Sequence, residues 1–152
     1  MQSQQSLRVL PQLIRALAFL QMIEEALRLY VGTAEELIAA ARPYGVPFKV
    51  DKKIIESAAL GKLISMFEKL NSNEALHSRL RALPKHRNHI AHAAFMRAVQ
   101  GARDESVDLE YARSHAQSVG DEAERLVWIL HQELGSLLQV FPDSPAAKCG
   151  GA

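Results

Sequence analysis

The chain is almost without cysteine. Cys149 is the single cysteine among 152 residues, which excludes an intramolecular disulfide and fits a reducing compartment. The first six residues are polar and uncharged, so they do not predict a secretory signal peptide. The most apolar stretch, residues 10–23, contains Arg15 and Gln21 and is too short to span a bilayer. We therefore expect a cytoplasmic protein with no membrane segment.

The common motifs of nucleotide-binding proteins and hydrolases are also missing. The sequence has no GxGxxG and no GxSxG stretch. Gly61-Lys62 is followed by Leu63 rather than by the Ser or Thr of a phosphate loop, and His131 does not complete a zincin pair. These absences argue against dinucleotide-binding, P-loop and zincin enzymes, and we expect no cofactor.

Strand signals are scarce, and helical signals dominate. Leucine and alanine are abundant, which favours helix, and no segment alternates with a period of two. Apolar residues recur instead at helical spacing, and they predict helices over 7–31, 33–42, 52–70, 74–100 and 108–140. We therefore predict an all-α antiparallel bundle of about five helices over 7–141, with flexible ends at 1–6 and 142–152.

Four local signals set the expected helix boundaries. Gly32 ends the first helix, and Thr33 with Glu36 forms a capping-box pattern that opens the second. Asp51 is a candidate N-cap for the third helix. Pro84 is expected to kink or split the fourth helix just before a group of histidines.

Acidic residues are absent between Glu74 and Asp104. That window instead holds six basic residues and four histidines: Arg79, Arg81, Lys85, Arg87, Arg97, Arg103, His77, His86, His89 and His92. The chain then becomes acidic, with Asp104, Glu105, Asp108, Glu110, Asp121, Glu122 and Glu124. Two interpretations stay open: two helices that attract each other, or a face that binds anions.

Three of these histidines, His86, His89 and His92, are spaced by three residues. Neighbouring pairs of this spacing can share a metal on a helix, but a zinc site needs further ligands and no Asp or Glu lies within the group. The alternative is a set of solvated surface histidines. We expect no metal site.

The stretch Arg87-Asn-His-Ile-Ala-His92 resembles the Arg-x4-6-His motif of the HEPN superfamily (higher eukaryotes and prokaryotes nucleotide-binding domain). The polar Asn88 directly after the arginine, and the apolar step Ile90-Ala91 before the histidine, match the family pattern. The motif also follows at least two long predicted helices, as in the family. Ala94 departs from the pattern, because some HEPN toxins carry a tyrosine there that a partner nucleotidyltransferase modifies.

The resemblance implies an all-α fold and two alternative functions. One is a metal-independent endoribonuclease of the toxin, phage-defence or RNA-processing type. The other is a non-catalytic HEPN-type binding module that acts with a nucleotidyltransferase, an antitoxin or another regulatory partner. The loose spacing alone is also met by Arg81 or Arg79 with His86, and by Arg125 with His131.

The residue types suit RNA cleavage by a ribose 2′-OH. His92 is the acid–base candidate because an imidazole titrates near neutrality. Arg87 offers a planar fork to phosphate oxygens, and Asn88 can orient the imidazole or hold RNA. Further contacts to RNA are expected from Arg81, Lys85, His89 and Arg97. A homodimer would bring two copies of His92 into one cleft and so supply acid and base together.

The geometry of a straight helix leaves the direction of Arg87 open. Asn88 and His92 share a face, whereas Arg87 and His92 lie about 140° apart. Two alternatives follow: Arg87 pairs with a glutamate of the bundle, or the helix is distorted near Pro84 and the long arginine side chain reaches the side of His92. The helices predicted over 7–31 and 108–140 carry more apolar residues than one core stripe needs. We expect these extra residues to form a dimer surface, and they include Phe19, Met22, Val127 and Trp128.

Overall fold

The computed structural model describes residues 2–94 and 109–140, and all regular secondary structure in these ranges is helical. The elements are α1 (Gln2–Ala41), α2 (Lys52–Ser57), α3 (Leu60–Leu70), α4 (Glu74–Arg81), α5 (Leu83–Asn88), a π-helix (His89–Ala94) and α6 (Leu109–Val140). The predicted all-α bundle is confirmed. The predicted connection at 101–106 and the tail at 142–152 lie outside the described residues.

The first helix does not end at Gly32. Helix α1 continues to Ala41, so the predicted division into 7–31 and 33–42 was wrong. Thr33 is buried within the helix and therefore does not act as an N-cap. The apolar stripe continues past the glycine with Val31, Ala34 and Leu37, which are all buried. Burial of these side chains outweighs the cost of about 1 kcal/mol for a glycine inside a helix.

Replacement of Gly32 by alanine is expected to stabilise the fold. A Cβ at Gly32 would meet no atom of the described residues within 4 Å, so the gain in helix propensity of about 0.5–1 kcal/mol should appear in full. Urea denaturation of Gly32→Ala measures it. Gly45→Ala is the contrasting control, because Gly45 has a φ of +82° and an alanine there would be strained. A loss of stability in Gly32→Ala would contradict the open surroundings of this position.

The helix predicted over 52–70 is broken in the middle. Asp51 caps its start as expected, since its carboxylate accepts a hydrogen bond of 3.1 Å from the Ile54 N–H. The backbone then turns extended at Ala58 and Ala59 and resumes as α3 at Leu60. The Ala58 carbonyl accepts a hydrogen bond of 3.1 Å from Arg28 on α1. This long-range contact provides a hydrogen-bond donor for a carbonyl at the break. Sequence periodicity does not predict such a break, because it does not report contacts with a distant helix.

The predicted split before the histidines is confirmed. Helix α4 ends at Arg81 and α5 begins at Leu83, with Pro84 in the first turn of α5, where its missing N–H costs no hydrogen bond. At His89 the chain changes from α-helix to π-helix and keeps this form to Ala94. Such π segments are rare and often occur at functional sites.

Polar contacts show the relative direction of the two longest helices, α1 and α6. Arg15 on α1 pairs with Asp121 and Glu124 of α6 at 2.8 and 2.6 Å. Toward the other end, the Asn71 amide donates to the Tyr30 hydroxyl at 3.1 Å and to Glu133 at 2.7 Å. Because residue number rises along both helices between these contacts, α1 and α6 run in the same direction.

The segment from α4 to the π-helix runs antiparallel to α6. The Asn73 amide donates to Glu133 at 2.9 Å, Arg79 pairs with Glu122, and His86 contacts His115. The core between these helices contains the fully buried Leu13, Leu20, Ile23, Leu27, Leu60, Leu63, Phe67, Leu80, Leu83, Ile90, Leu126 and Leu130. Within the described part of the chain, no helix has both the length and the apolar character needed to cross a membrane.

Candidate functional site

The candidate site lies on residues 83–94, here named the site segment, which comprises α5 and the π-helix. Its inner face is fixed by Leu83 and Ile90, which are 1% and 0% exposed. Its outer face presents Lys85, Asn88 and His92, all exposed. The apolar anchors therefore hold the segment in the core while the polar motif residues reach the surface.

Arg87 points toward α1 and pairs with a buried carboxylate. Its Nη2 lies 3.0 Å from Oε1 of Glu24, whose side chain is 6% exposed, while Arg87 itself is 39% exposed. Arg28 approaches the other oxygen of Glu24 at 3.5 Å. Among the described residues, Glu24 Oε1 has no well-aligned hydrogen bond, so the Arg87 contact acts mainly through charge. A carboxylate at this depth is stable only with such cationic partners.

The first alternative for Arg87, a pair with a glutamate of the bundle, is confirmed. The segment that carries the motif is also distorted, as a π-helix that begins at His89. A π-helix has more residues per turn than an α-helix, so the turn at His89–Ala94 brings Arg87 and His92 closer in direction than a straight helix would. Sequence reasoning did not single out Glu24. The available signal was its position four residues after Leu20 and three before Leu27, which places this glutamate on the apolar stripe.

A second group of side chains packs on the opposite flank of the site segment. The ring of His115, on α6, lies 5.3 Å from that of His86 and 5.0 Å from that of His89, edge-on in the latter case. Tyr111 stacks on His115 at 6.0 Å with a 7° angle between the rings. Nε2 of His115 is buried, and no atom of the described residues forms a hydrogen bond with it. Sequence reasoning did not single out His115 or Tyr111, although their i, i+4 spacing places both on one face of α6.

A cleft of about 280 Å³ opens beside this group, between α4–α5 and α6. It is lined by Arg79, Ala82, Leu83, His86, His115, Ser118, Val119 and Glu122. Arg79 donates two hydrogen bonds to Glu122, at 2.7 and 2.9 Å. These bonds lower the pKa of the Glu122 carboxyl and raise that of the Arg79 guanidinium. For Arg79, the interpretation as attraction between a basic and an acidic helix is thus confirmed.

The four expected RNA contacts have different surroundings. Arg81 donates to Glu68 on α3, although both side chains keep some exposure. Lys85 is exposed on the outer face of the site segment, whereas His89 is half-buried against His115. Arg97 lies outside the described residues. The structure thus places Lys85 beside the motif and holds Arg81 toward a neighbouring helix.

Burial makes His115 a source of pH-dependent stability. Desolvation lowers the pKa of its imidazole, and the neighbouring His89 and His86 lower it further. As the pH falls through about 6.5, the unfolded chain binds this proton and the folded chain does not, so the free energy of unfolding decreases. The decrease ends below the folded pKa of His115. Its ring is faced by His86, His89 and Tyr111, with the Arg79–Glu122 pair in the adjoining cleft.

We expect His115→Gln to flatten this dependence. Urea denaturation between pH 8 and 5.5 should show a smaller loss of stability for the variant than for the natural protein. His131→Gln is the matched control, because His131 is an exposed histidine of the same helix. An unchanged slope in His115→Gln would show that other groups dominate the titration.

The three-histidine group is not arranged as a metal site. Within residues 2–94 and 109–140, no three or more His, Cys, Asp or Glu side chains have an arrangement that would hold a metal ion. What the site offers chemically is an anchored guanidinium, an exposed amide and an exposed imidazole within six consecutive residues. Comparison with protein-family models, curated proteins and solved structures gives no match for this chain.

Proposed function

We propose that this chain is a HEPN-like, metal-independent endoribonuclease that cleaves single-stranded RNA. The observation that carries the proposal is the arrangement around the motif. Arg87 is held by the buried Glu24 at 3.0 Å, while Asn88 and His92 remain exposed where the helix changes to a π-helix. An anchored cation and an exposed imidazole, five residues apart on one helical segment, are residue types suited to a phosphodiester.

The reaction begins with the ribose 2′-OH. His92 removes its proton, the 2′-oxygen attacks phosphorus, and the bond from phosphorus to the 5′-oxygen breaks. A second group protonates the departing 5′-oxygen, which leaves a 2′,3′-cyclic phosphate and a 5′-hydroxyl. Arg87 uses one Nη for Glu24 and directs its remaining N–H groups to phosphate oxygens, where negative charge grows in the transition state. Asn88 orients the His92 ring or the ribose.

A two-fold dimer would supply the second imidazole. Each chain carries one motif histidine, and a second copy of the chain would add its own His92 as the acid. Of the apolar residues proposed for this surface, Met22 and Trp128 are 49% and 65% exposed. Phe19 and Val127 instead pack half-buried against the core. The first two residues therefore remain candidates for the dimer contact.

Self-association should be measurable at micromolar concentration. Analytical ultracentrifugation is expected to show a dimer, and Trp128→Glu is expected to weaken it because a charge would enter an apolar contact. Tyr44→Glu is the matched control, since Tyr44 is an exposed aromatic in the loop after α1. A strict monomer would remove the composite two-histidine site from the proposal.

The direct test is incubation of the purified protein with labelled single-stranded RNA in EDTA. We expect cleavage products that end in a 2′,3′-cyclic phosphate, identified by mass spectrometry. If the protein binds RNA but cleaves none, the non-catalytic HEPN-type module, acting with a nucleotidyltransferase, an antitoxin or another regulatory partner, becomes the better description.

A further inference from the structure

The cleft between α4–α5 and α6 is not used by the proposed cleavage chemistry. Its walls combine apolar atoms from Ala82, Leu83 and Val119 with polar groups on Arg79, Ser118 and Glu122 and with the imidazoles of His86 and His115. At about 280 Å³ it is small, close to the lower limit of small-molecule pockets. Apolar walls with a few hydrogen-bonding groups suit a flat heterocycle.

The charge balance of the cleft disfavours a phosphate. The Arg79 guanidinium is matched by the Glu122 carboxylate through two hydrogen bonds. The lowered pKa of His115 keeps its imidazole neutral at neutral pH. An uncharged ligand edge with donors and acceptors therefore fits better than an anion. The guanidinium has N–H groups beyond those bound to Glu122, and the carboxylate oxygens have further lone pairs.

Stacking surfaces lie next to the cleft. The basic segment of the sequence has few aromatic residues, but the fold brings His115 of α6 against His86 and His89, and Tyr111 of the same helix stacks on His115. Tyr111 is 62% exposed. Nucleobases stack on tyrosine and imidazole rings, and single-stranded RNA is recognised largely in this way.

The cleft is also close to the proposed cleavage site. His86 lines the cleft and is the chain neighbour of Arg87, so their Cα atoms are about 3.8 Å apart. Arg87 turns to α1, while His86 turns to α6. An RNA strand that crosses the outer face of the site segment at Asn88 and His92 would thus place a phosphate on the Arg87 side. It would place a base on the His86 side, in the cleft.

We propose that this cleft binds one nucleobase of single-stranded RNA, adjacent to the phosphate held by Arg87 and His92. This inference rests on the proposed function for its ligand, because it takes RNA as the substrate. It adds a base-recognition subsite built from Arg79, Ser118, His115, Glu122 and the exposed Tyr111.

Binding of fluorescent single-stranded RNA, measured by anisotropy in the His92→Ala background, tests the subsite without cleavage. Ser118→Phe fills the cleft and should raise Kd roughly tenfold, as should Tyr111→Ala, the scale of one lost base stack. The matched controls are Ser136→Phe, at another exposed serine of α6, and Tyr44→Ala, at an exposed tyrosine away from the cleft. Both controls should bind RNA with unchanged Kd.

An RNA with one abasic nucleotide gives a second readout. Moving the abasic position along the oligonucleotide should reveal one place where affinity falls by a similar factor, and Ser118→Phe should add little to that loss. If Ser118→Phe is misfolded by circular dichroism, Tyr111→Ala and the abasic series decide the question. Unchanged Kd in Tyr111→Ala, or no sensitive abasic position, would overturn the subsite. Cleavage by the natural protein, measured separately, would still support the proposed endoribonuclease.

Discussion

His92→Ala is expected to abolish RNA cleavage while leaving the fold intact. The side chain is exposed on the π-helix, so its removal takes little packing from the core. General acid–base groups contribute roughly 10²–10⁴-fold in rate. In a symmetric dimer the substitution removes both acid and base, so the loss should reach the upper end of this range. The rate of RNA cleavage in EDTA measures the loss of activity, and a thermal unfolding curve shows whether the fold is intact.

The control for this experiment is Gln139→Ala. Gln139 is also exposed but lies near the end of α6, outside the site segment, and its removal should leave cleavage unchanged. EDTA should not affect either protein, because no metal enters the proposed reaction. Cleavage retained in full by His92→Ala would rule out the motif as the reaction site.

Arg87→Ala is expected to lose both activity and stability. Without the guanidinium, the RNA phosphate would lose its planar hydrogen-bond donor. Glu24 Oε1 would also stay buried without its nearest cation. An unsatisfied buried polar group costs about 1–3 kcal/mol. Because Arg28 remains 3.5 Å from the other oxygen and Arg87 is partly exposed, we expect the lower half of that range. Urea denaturation and the cleavage rate report the two effects separately.

One further variant separates charge from geometry at this position, and another controls for stability. Arg87→Lys keeps a positive charge but not the planar fork, so it should restore little cleavage. Arg113→Ala is the matched control for stability, because Arg113 is similarly exposed and its partner Glu110 lies 4.0 Å away on the same helix. If Arg87→Ala were as stable as Arg113→Ala, the Glu24 pair would not anchor the site segment.

Local patterns in the sequence were sufficient for the helical class and for some boundaries. Helical periodicity over 108–140 predicted α6 to within one residue of its start. Asp51 capped α2 and Pro84 marked the break before α5, as expected. These features depend on neighbours within one or two turns, where side-chain hydrogen bonds and proline geometry act directly.

Other boundaries depended on contacts between distant residues. The helix continues through Gly32 because Val31, Ala34 and Leu37 are buried against the bundle, and the break at Ala58 is accompanied by a hydrogen bond from Arg28. Each local preference is worth about 1 kcal/mol or less, so burial of a few side chains reverses it. Helix propensity alone therefore could not predict these two boundaries, because it does not include the free energy of burying side chains against other helices.

The sequence by itself determined which residue types are available at the candidate site, through Arg87, Asn88 and His92. Only the tertiary structure decided that Arg87 turns to Glu24 on α1 and that His86 and His89 turn to His115 on α6. These pairings join residues that are 26 to 63 positions apart in the chain. The basic and acidic segments of the sequence allowed the interpretation that two helices attract each other. They did not specify which residues pair, because the packing of whole apolar faces sets the positions of the helices.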